Sequence, residues 1–289
     1  MALRLVVLVK QVPDTQNVTG QAMKEDGTVN RDALPAIFNP EDLNALEEAL
    51  RIKEALPGST VIAVSMGPPK ASEVLKECLF RGADNAVLVS DRGFAGADTL
   101  ATSYALKCAI QRLGPIDVVL CGRQAIDGDT AQVGPQVAQK LGMNQITSLC
   151  AVQEITEDKI TVVRGIETGY ETVASPYPVV LTVSATANEP RPPRAKLVMA
   201  YKNVLCHADD AYDESYIEPE CGIGAEQILQ WNMASIQADP ERCGLSGSAT
   251  KVKKIESVVL AATQTKKIDN TPQAIAGLVT ELVQEHILG

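Results

Sequence analysis

Ile116-Asp117-Val118-Val119-Leu120-Cys121-Gly122-Arg123-Gln124-Ala125-Ile126-Asp127-Gly128-Asp129-Thr130-Ala131-Gln132-Val133-Gly134-Pro135 reads as a buried strand, a glycine-bearing loop and the start of a helix. The run Ile116–Cys121 carries apolar side chains on both faces, as a parallel strand covered from both sides requires. A helix is expected over Thr130–Leu141, stopping at Gly142. In open α/β sheets ligands bind beyond the carboxyl ends of strands, which makes Gly122–Gly134 the candidate site. Gly128 and Gly134 let the backbone approach a ligand. Unbonded N–H groups near Thr130–Val133, at a positive helix end, suit a pyrophosphate. Thr130 and Gln132 add side-chain hydrogen bonds. An ordinary turn capped by Asp127 or Asp129 fits the same residues, and the loop is neither GxGxxG nor Walker A. Two carboxylates repel a phosphate unless they point away, which assigns them to capping or ribose contacts.

Outward from this stretch the alternation repeats. Strands are expected at Leu3–Val9, Thr60–Ser65 and Asn85–Ser90, and helices at Pro40–Ala55, Ala71–Arg81 and Asp98–Arg112. The first helix sets Leu43, Leu46 and Leu50 on one face and Glu41, Asn44 and Glu48 on the other. The fold class is therefore α/β: a doubly wound, mostly parallel sheet with right-handed crossovers. Lys10–Asp14, Phe38–Asp42, Ser65–Pro68 and Ser90–Thr99 stand at strand ends or helix starts. Each alone is an ordinary turn or cap, but their common placement points to one nucleotide cleft.

From Thr147 the rhythm changes. Thr147–Glu154 and Lys159–Arg164 read as an antiparallel hairpin, Tyr170–Ala174 as a third strand, and Pro178–Ser184 as a further apolar strand. The Pro-rich Asn188–Arg194 reads as an exposed loop. Tyr201–Ser248, with many acids and the one tryptophan, Trp231, reads as an extended arm without a core of its own. Thr271–Leu288 closes the chain as a helix, with Thr271 as N-cap and Pro272 first. Two units follow: residues 1–203, an α/β nucleotide-binding domain, and residues 204–289, an arm and terminal helix that lie on another surface.

Composition narrows the function. The 289 residues carry a net charge of −10 with the acids spread throughout, which argues against nucleic acid as a partner. No run approaches the ~18 to 20 apolar residues of a membrane span. Met1–Lys10 lacks a signal-peptide pattern, so a cytoplasmic location is expected. Of seven cysteines, Cys78, Cys108, Cys121 and Cys150 sit in apolar contexts and read as buried thiols of a reducing compartment. Cys206, His207, Cys221 and Cys243 have irregular spacing that matches metal sites poorly, and no metal is assigned. With His207 and His286 the two histidines, histidine-based catalysis is not expected.

The runs VKQVPD (9–14), FNPED (38–42), VSMGPP (64–69), RGAD (81–84), SDR with AGADT (90–99) and GRQAIDGDTAQVG (122–134) together resemble electron-transfer flavoprotein beta subunits. Val162–Thr182, with Arg164, Glu167, Gly169, Glu171 and Pro178, is similar to the family's signature, although Thr168 stands where Gly or an acid is usual. Asn188–Arg191 and, more loosely, Gly244–Val252 are also similar. The resemblance implies a heterodimer in which the C-terminal arm wraps an alpha subunit that holds one FAD. A second nucleotide in this chain is then AMP, with a structural role, or a FAD that bifurcates electrons. AMP-type members carry a run of acids followed by Cys-Asn-Gln-Thr-Gly. Asp127–Gly134 instead resembles the bifurcating type, with Gly128 and Ala131 leaving room for a larger ligand.

That type implies an electron-transfer subunit of an NADH-oxidising complex. NADH reduces the beta-subunit FAD, one electron leaves to ferredoxin or flavodoxin, and the other passes through the alpha-subunit FAD to a flavin-dependent dehydrogenase. Protein groups bind and tune the flavin instead of acting as acids or nucleophiles. By correspondence the contacts are Leu8, Asn39, Pro40, Glu41, Asp42, Met66, Arg123, Gln124, Ala125, Ile126, Asp127, Gly128, Asp129, Thr130, Ala131, Gln132, Val133 and Gly134, with Asp98 and Thr99 near the flavin ring. Arg123 either stabilises negative charge on a reduced flavin or makes a surface salt bridge. Asn188–Met199 matches the family's partner-recognition loop, but Ala195 and Lys196 replace a Leu-Pro pair. The rival is a nucleotide-binding module without a redox role. An ATP-pyrophosphatase relative needs an SGGxDS-like loop where this chain has Lys10–Asp14.

Overall fold

A computed structural model describes residues 1–14, 35–206, 228–251 and 266–284. In chain order its strands are β1 (Arg4–Leu8), β2 (Gln11–Pro13), β3 (Ala36–Phe38), β4 (Thr60–Met66), β5 (Asn85–Val89), β6 (Val118–Gly122), β7 (Asn144–Ile155), β8 (Lys159–Ile166), β9 (Gly169–Pro176), β10 (Val179–Val183) and β11 (Ile228–Trp231). The helices are α1 (Pro40–Ala55), α2 (Ser72–Arg81), α3 (Thr99–Leu113), α4 (Val133–Leu141), α5 (Ala195–Tyr201), α6 (Gly244–Gly247) and α7 (Pro272–Gln284). A nine-stranded sheet runs β11-β5-β4-β1-β6-β10-β7-β8-β9, and β2 pairs separately with β3. From β11 to β7 the neighbours are parallel; β8 and β9 join antiparallel. The expected mixed α/β architecture is what forms.

Alternate residues of each strand enter two cores, because strand side chains point to opposite faces in turn. Leu5 and Val7 pack with Leu46 of α1 and Leu75 of α2, whereas Val6 and Leu8 pack with Ala105 of α3 and Val137 of α4. With both faces covered, β6 is buried at every position. From β1 the chain moves outward through α1 to β4 and α2 to β5. It then returns through α3, on the other face, to β6 on the far side of β1. The winding direction reverses between β1 and β6, and such a reversal opens a crevice at the carboxyl ends of the two strands.

Several local expectations change. α4 starts at Val133 instead of Thr130, because Asp129 and Ala131 take left-handed backbone, with φ of 49° and 51°, which an L-residue helix cannot continue through. β10 does not trail the hairpin but slots between β6 and β7, and β7 starts as early as Asn144 because its first residues pair with β10. The polar face of α1 is not solvated: Glu41, Asn44 and Glu48 are 8%, 5% and 5% exposed. The Pro-rich stretch covers Asn44 and Glu48. Asn188 donates to Glu48 at 3.0 Å, and Arg191 pairs with Glu47 at 2.8 Å and Glu54 at 2.5 Å. The segment read as an exposed loop is thus strapped to α1 by ion pairs, and α5, unforeseen, follows it.

The arm also has a place. β11 extends the sheet parallel to β5, while Ile236, Ala238 and Cys243 enter the core under α3. Arg112 stacks over Trp231 at 4.8 Å and Arg242 over Tyr104 at 4.0 Å, each a cation–π contact. Residues 228–251 therefore lie on the chain's own sheet. α7 forms over Pro272–Gln284, with Thr271 Oγ1 accepting from Ala274 N at 3.2 Å, and residues 285–288 of the expected helix lie outside the described residues. Ile275, Val279 and Val283 leave an exposed apolar ridge along it. Cys78, Cys108 and Cys121 are buried as expected; Cys150 is only half-buried. Cys206 and Cys243 are buried too, but in opposite cores, so they share no metal ion. His207 and Cys221 lie outside the described residues. No helix among the described residues is long and apolar enough to cross a membrane.

Candidate functional site

The crevice between β1 and β6 is built from the start of α1. Asp42 bridges the two strand ends: its Oδ2 accepts from Lys10 N and its Oδ1 from Gly122 N, both at 2.9 Å. Burial pushes the Asp42 carboxyl up to about 7, against the pull of the Gly122 and Lys10 N–H groups. Gly122 is required there, since a Cβ would sit 2.5 Å from Asp42 Oδ1 and 2.8 Å from Asp42 N. Asn39 occupies the N-cap of α1 yet does not cap it. Its Nδ2 donates to Gln124 O at 2.9 Å and its Oδ1 accepts from Ile126 N at 3.1 Å. Glu41 Oε2 accepts from Gln124 N at 2.8 Å, while Oε1 accepts from Arg123 Nη2 at 3.1 Å. Asn39, Glu41 and Asp42, expected as ligand contacts, thus spend their polar atoms shaping the loop from Gly122 to Ile126. Pro40 alone of the four is exposed.

The second half of the loop is held from α3. Thr99 Oγ1 donates to Gln132 Oε1 at 2.9 Å, Ser103 Oγ to Gln136 Oε1 at 2.9 Å, and Gln136 Nε2 to Thr99 Oγ1 at 3.3 Å. Neither loop carboxylate caps α4, which corrects that expectation: the N-cap is Gln132, without a side-chain bond. Asp127 instead takes Lys10 Nζ, 2.7 Å from both its oxygens, and Asp129 accepts from Gln124 Nε2 at 3.1 Å. The first N–H groups of a helix have no intrahelical partner. Val133 and Gly134 are the first two residues of α4, so their N–H groups have no intrahelical partner, and they follow the left-handed Asp129 and Ala131. Gly128 through Gln132 are exposed.

The two glycines differ. A Cβ on Gly128 would meet nothing within 4 Å, whereas one on Gly134 would lie 2.7 Å from Thr182 Cγ2 and 2.8 Å from Cys121 Sγ. Gly134 is therefore demanded by close helix–strand packing, and Gly128 is the one that leaves space. Leu8 and Met66 end β1 and β4 at the same edge. Ala125 and Ile126 sit half-buried behind the loop. Asp98 is fully engaged: Oδ1 caps α3 through Leu100 N and Ala101 N, and Oδ2 accepts from Thr250 N at 2.9 Å and Thr250 Oγ1 at 3.0 Å. It fastens the C-terminal segment, which does not suit the expected place beside a flavin ring.

Lys10 stands at the strand end expected to border the cleft, whereas Ser103, Gln136, Ser248 and Thr250 are neighbours that the pattern did not single out. Their signal lies in pairings between distant segments. Beyond Arg123 the edge continues into an open cleft of about 750 Å³, lined among others by Ser148, Cys150, Arg164, Tyr170 and Thr186. The arrangement offers backbone amides for a phosphate and a polar shelf for a ring system. It assembles no nucleophile–base pair among the described residues.

The model of the electron transfer flavoprotein domain matches residues 26–204. The caffeyl-CoA reductase-Etf complex subunit CarD of Acetobacterium woodii is 42% identical over 99% of this chain and 100% of its own length. An electron transfer flavoprotein subunit beta of Clostridium acetobutylicum is 41% identical over the same shares. The acryloyl-CoA reductase electron transfer subunit gamma of Anaerotignum propionicum is 36% identical over 99% of this chain and all of its own.

Proposed function

The chain belongs to the electron transfer flavoprotein family, as a beta-type subunit, and from that premise we propose that its β1–β6 crevice holds FAD and bifurcates electrons. The observation that carries this reading is the loop itself: a helix start at Val133 and Gly134 whose amides have no intrahelical partner, both acids bonded to other side chains, and unfilled space at Gly128. These residues fit a diphosphate that continues past Gly128 into a larger ligand. Bound there, FAD supplies acceptance of two electrons from NADH and their release one at a time.

The chain's own groups bind and orient. The α4 amides hold phosphate charge, Thr99 and Gln136 keep Gln132 and the helix start in position, and Asn39 with Glu41 fix the loop's first half. Arg123, paired with Glu41, places a cation between loop and cleft, where it favours negative charge on a ring spanning that boundary. On this reading the acceptors would be ferredoxin or flavodoxin for one electron and, by way of an alpha-subunit FAD, a flavin-dependent dehydrogenase for the other. The relatives named for caffeyl-CoA and acryloyl-CoA reductases support a reductase-type partner. The uncovered Ile275–Val279–Val283 ridge of α7 supports docking of the chain's end on an alpha subunit.

The visible spectrum and nucleotide content of the purified heterodimer test the proposal. Two flavins are expected. One flavin with one AMP overturns the bifurcating reading in favour of a structural nucleotide, and no flavin favours a non-redox module. Gly128→Glu is expected to lose one flavin and keep the heterodimer, because a Cβ there meets no protein atom within 4 Å and the added carboxylate repels the phosphates of the proposed ligand. Unchanged flavin content removes Gly128 as the deciding position.

A further inference from the structure

We propose that Lys10 is the charge-compensating residue of the phosphate loop, neutralising Asp127 so that a diphosphate can approach. The inference rests on the adenine-nucleotide reading above. At this edge every other loop-side carboxylate has a partner of its own. Glu41 holds Arg123 and Gln124 N, Asp42 holds two backbone amides, Asp98 holds α3 and Thr250, and Asp129 holds the Gln124 amide. Among the described residues Asp127 has Lys10 alone, with Nζ 2.7 Å from both oxygens. Without that cation, Asp127 is an unpaired charge on the loop that carries the open α4 amides, and it opposes every phosphate charge brought there. Arg123 does not replace it, because its guanidinium is turned to Glu41. A chain of net charge −10 also repels anionic ligands at longer range, which makes local compensation matter more.

The backbone fixes Lys10 for this role. Its N–H is held by Asp42 Oδ2 at 2.9 Å, and its carbonyl accepts from Asn39 N at 3.0 Å. The ammonium reaches across the β1–β6 crevice from the backbone just after β1. Compensation differs from direct phosphate contact in a measurable way: removing both charges of the pair restores binding if Lys10 compensates, and does not if it contacts phosphate.

The experiment is calorimetric titration of the full-length chain with ADP and with adenosine, at low and moderate salt. Lys10→Met is expected to weaken ADP about tenfold, most at low salt, and to leave adenosine unchanged. Lys10→Arg keeps wild-type affinity, and Asp127→Asn alone tightens ADP. Lys10→Met with Asp127→Asn returns ADP to within about threefold of wild type, as expected of a pair whose effects are not additive. Unchanged ADP affinity in Lys10→Met overturns the inference alone, as does a loss that Asp127→Asn fails to restore. A wild-type chain that binds neither ADP nor adenosine overturns the nucleotide reading and this inference with it.

Discussion

Asp42 lies in the interior with both carboxylate oxygens aimed at backbone amides, one from each strand that flanks the crevice. Its unfolded carboxyl ionises near its ordinary value of 3.8, whereas burial raises the folded value to about 7. Between those values the native state holds the extra proton, so this group's contribution is present at the acid end and lost as pH rises through 7. Unfolding measured from pH 4 to 7 should therefore show wild type losing ground to Asp42→Asn by an order of a few kcal/mol. A difference independent of pH would mean that Asp42 is ionised throughout. The neighbouring glycine makes a steric prediction. Gly122→Ala drives a Cβ into the Asp42 backbone and should cost about 1–3 kcal/mol in denaturant unfolding, while Gly128→Ala, with open space, should stay within about 0.5 kcal/mol.

α3 shows how one helix start serves two segments. Its first amides are capped by Asp98 Oδ1, the other oxygen of Asp98 receives Thr250, and Asp98 N donates to Ser248 Oγ at 2.8 Å. Thr99, the next residue, then reaches Gln132 of the candidate site. Asp98→Ala should cost about 1–2 kcal/mol through the lost cap and also release the C-terminal segment. Thr250→Val removes only the Oγ1 bond to Asp98, keeps the Thr250 N–H bond and the cap, and should loosen the segment without detaching it. Limited proteolysis near Thr250 separates the two effects: equal resistance of Thr250→Val and wild type would show that the segment is held by other contacts. α1 makes the complementary point. Its N-cap residue abandons capping to hold the loop, so local helix rules yield where a site must be shaped.

Across the whole molecule, the segment after residue 227 completes the sheet. It supplies β11 along β5 and buries Ile228, Ile236 and Cys243. A chain ending at residue 227 should lose about 5 kcal/mol or more of stability, given the cost of emptying several core positions; a wild-type unfolding midpoint would show the segment to be dispensable. By itself the sequence determined the strand–helix alternation, the bounds of α1, the cap of α7 and the glycine-bearing loop after Cys121. Those signals are local, written in apolar periodicity and in glycine and proline punctuation. Only the tertiary structure decided that β6 lies beside β1, which brings Lys10 to Asp127 and Asp42 to Gly122. It also decided that β10 enters between β6 and β7, that Asn188 and Arg191 cover the polar face of α1, and that Ile228–Trp231 closes the edge at β5. Neighbours so far apart in the chain are chosen by which buried faces and charges fit together, and no short-range pattern encodes that choice.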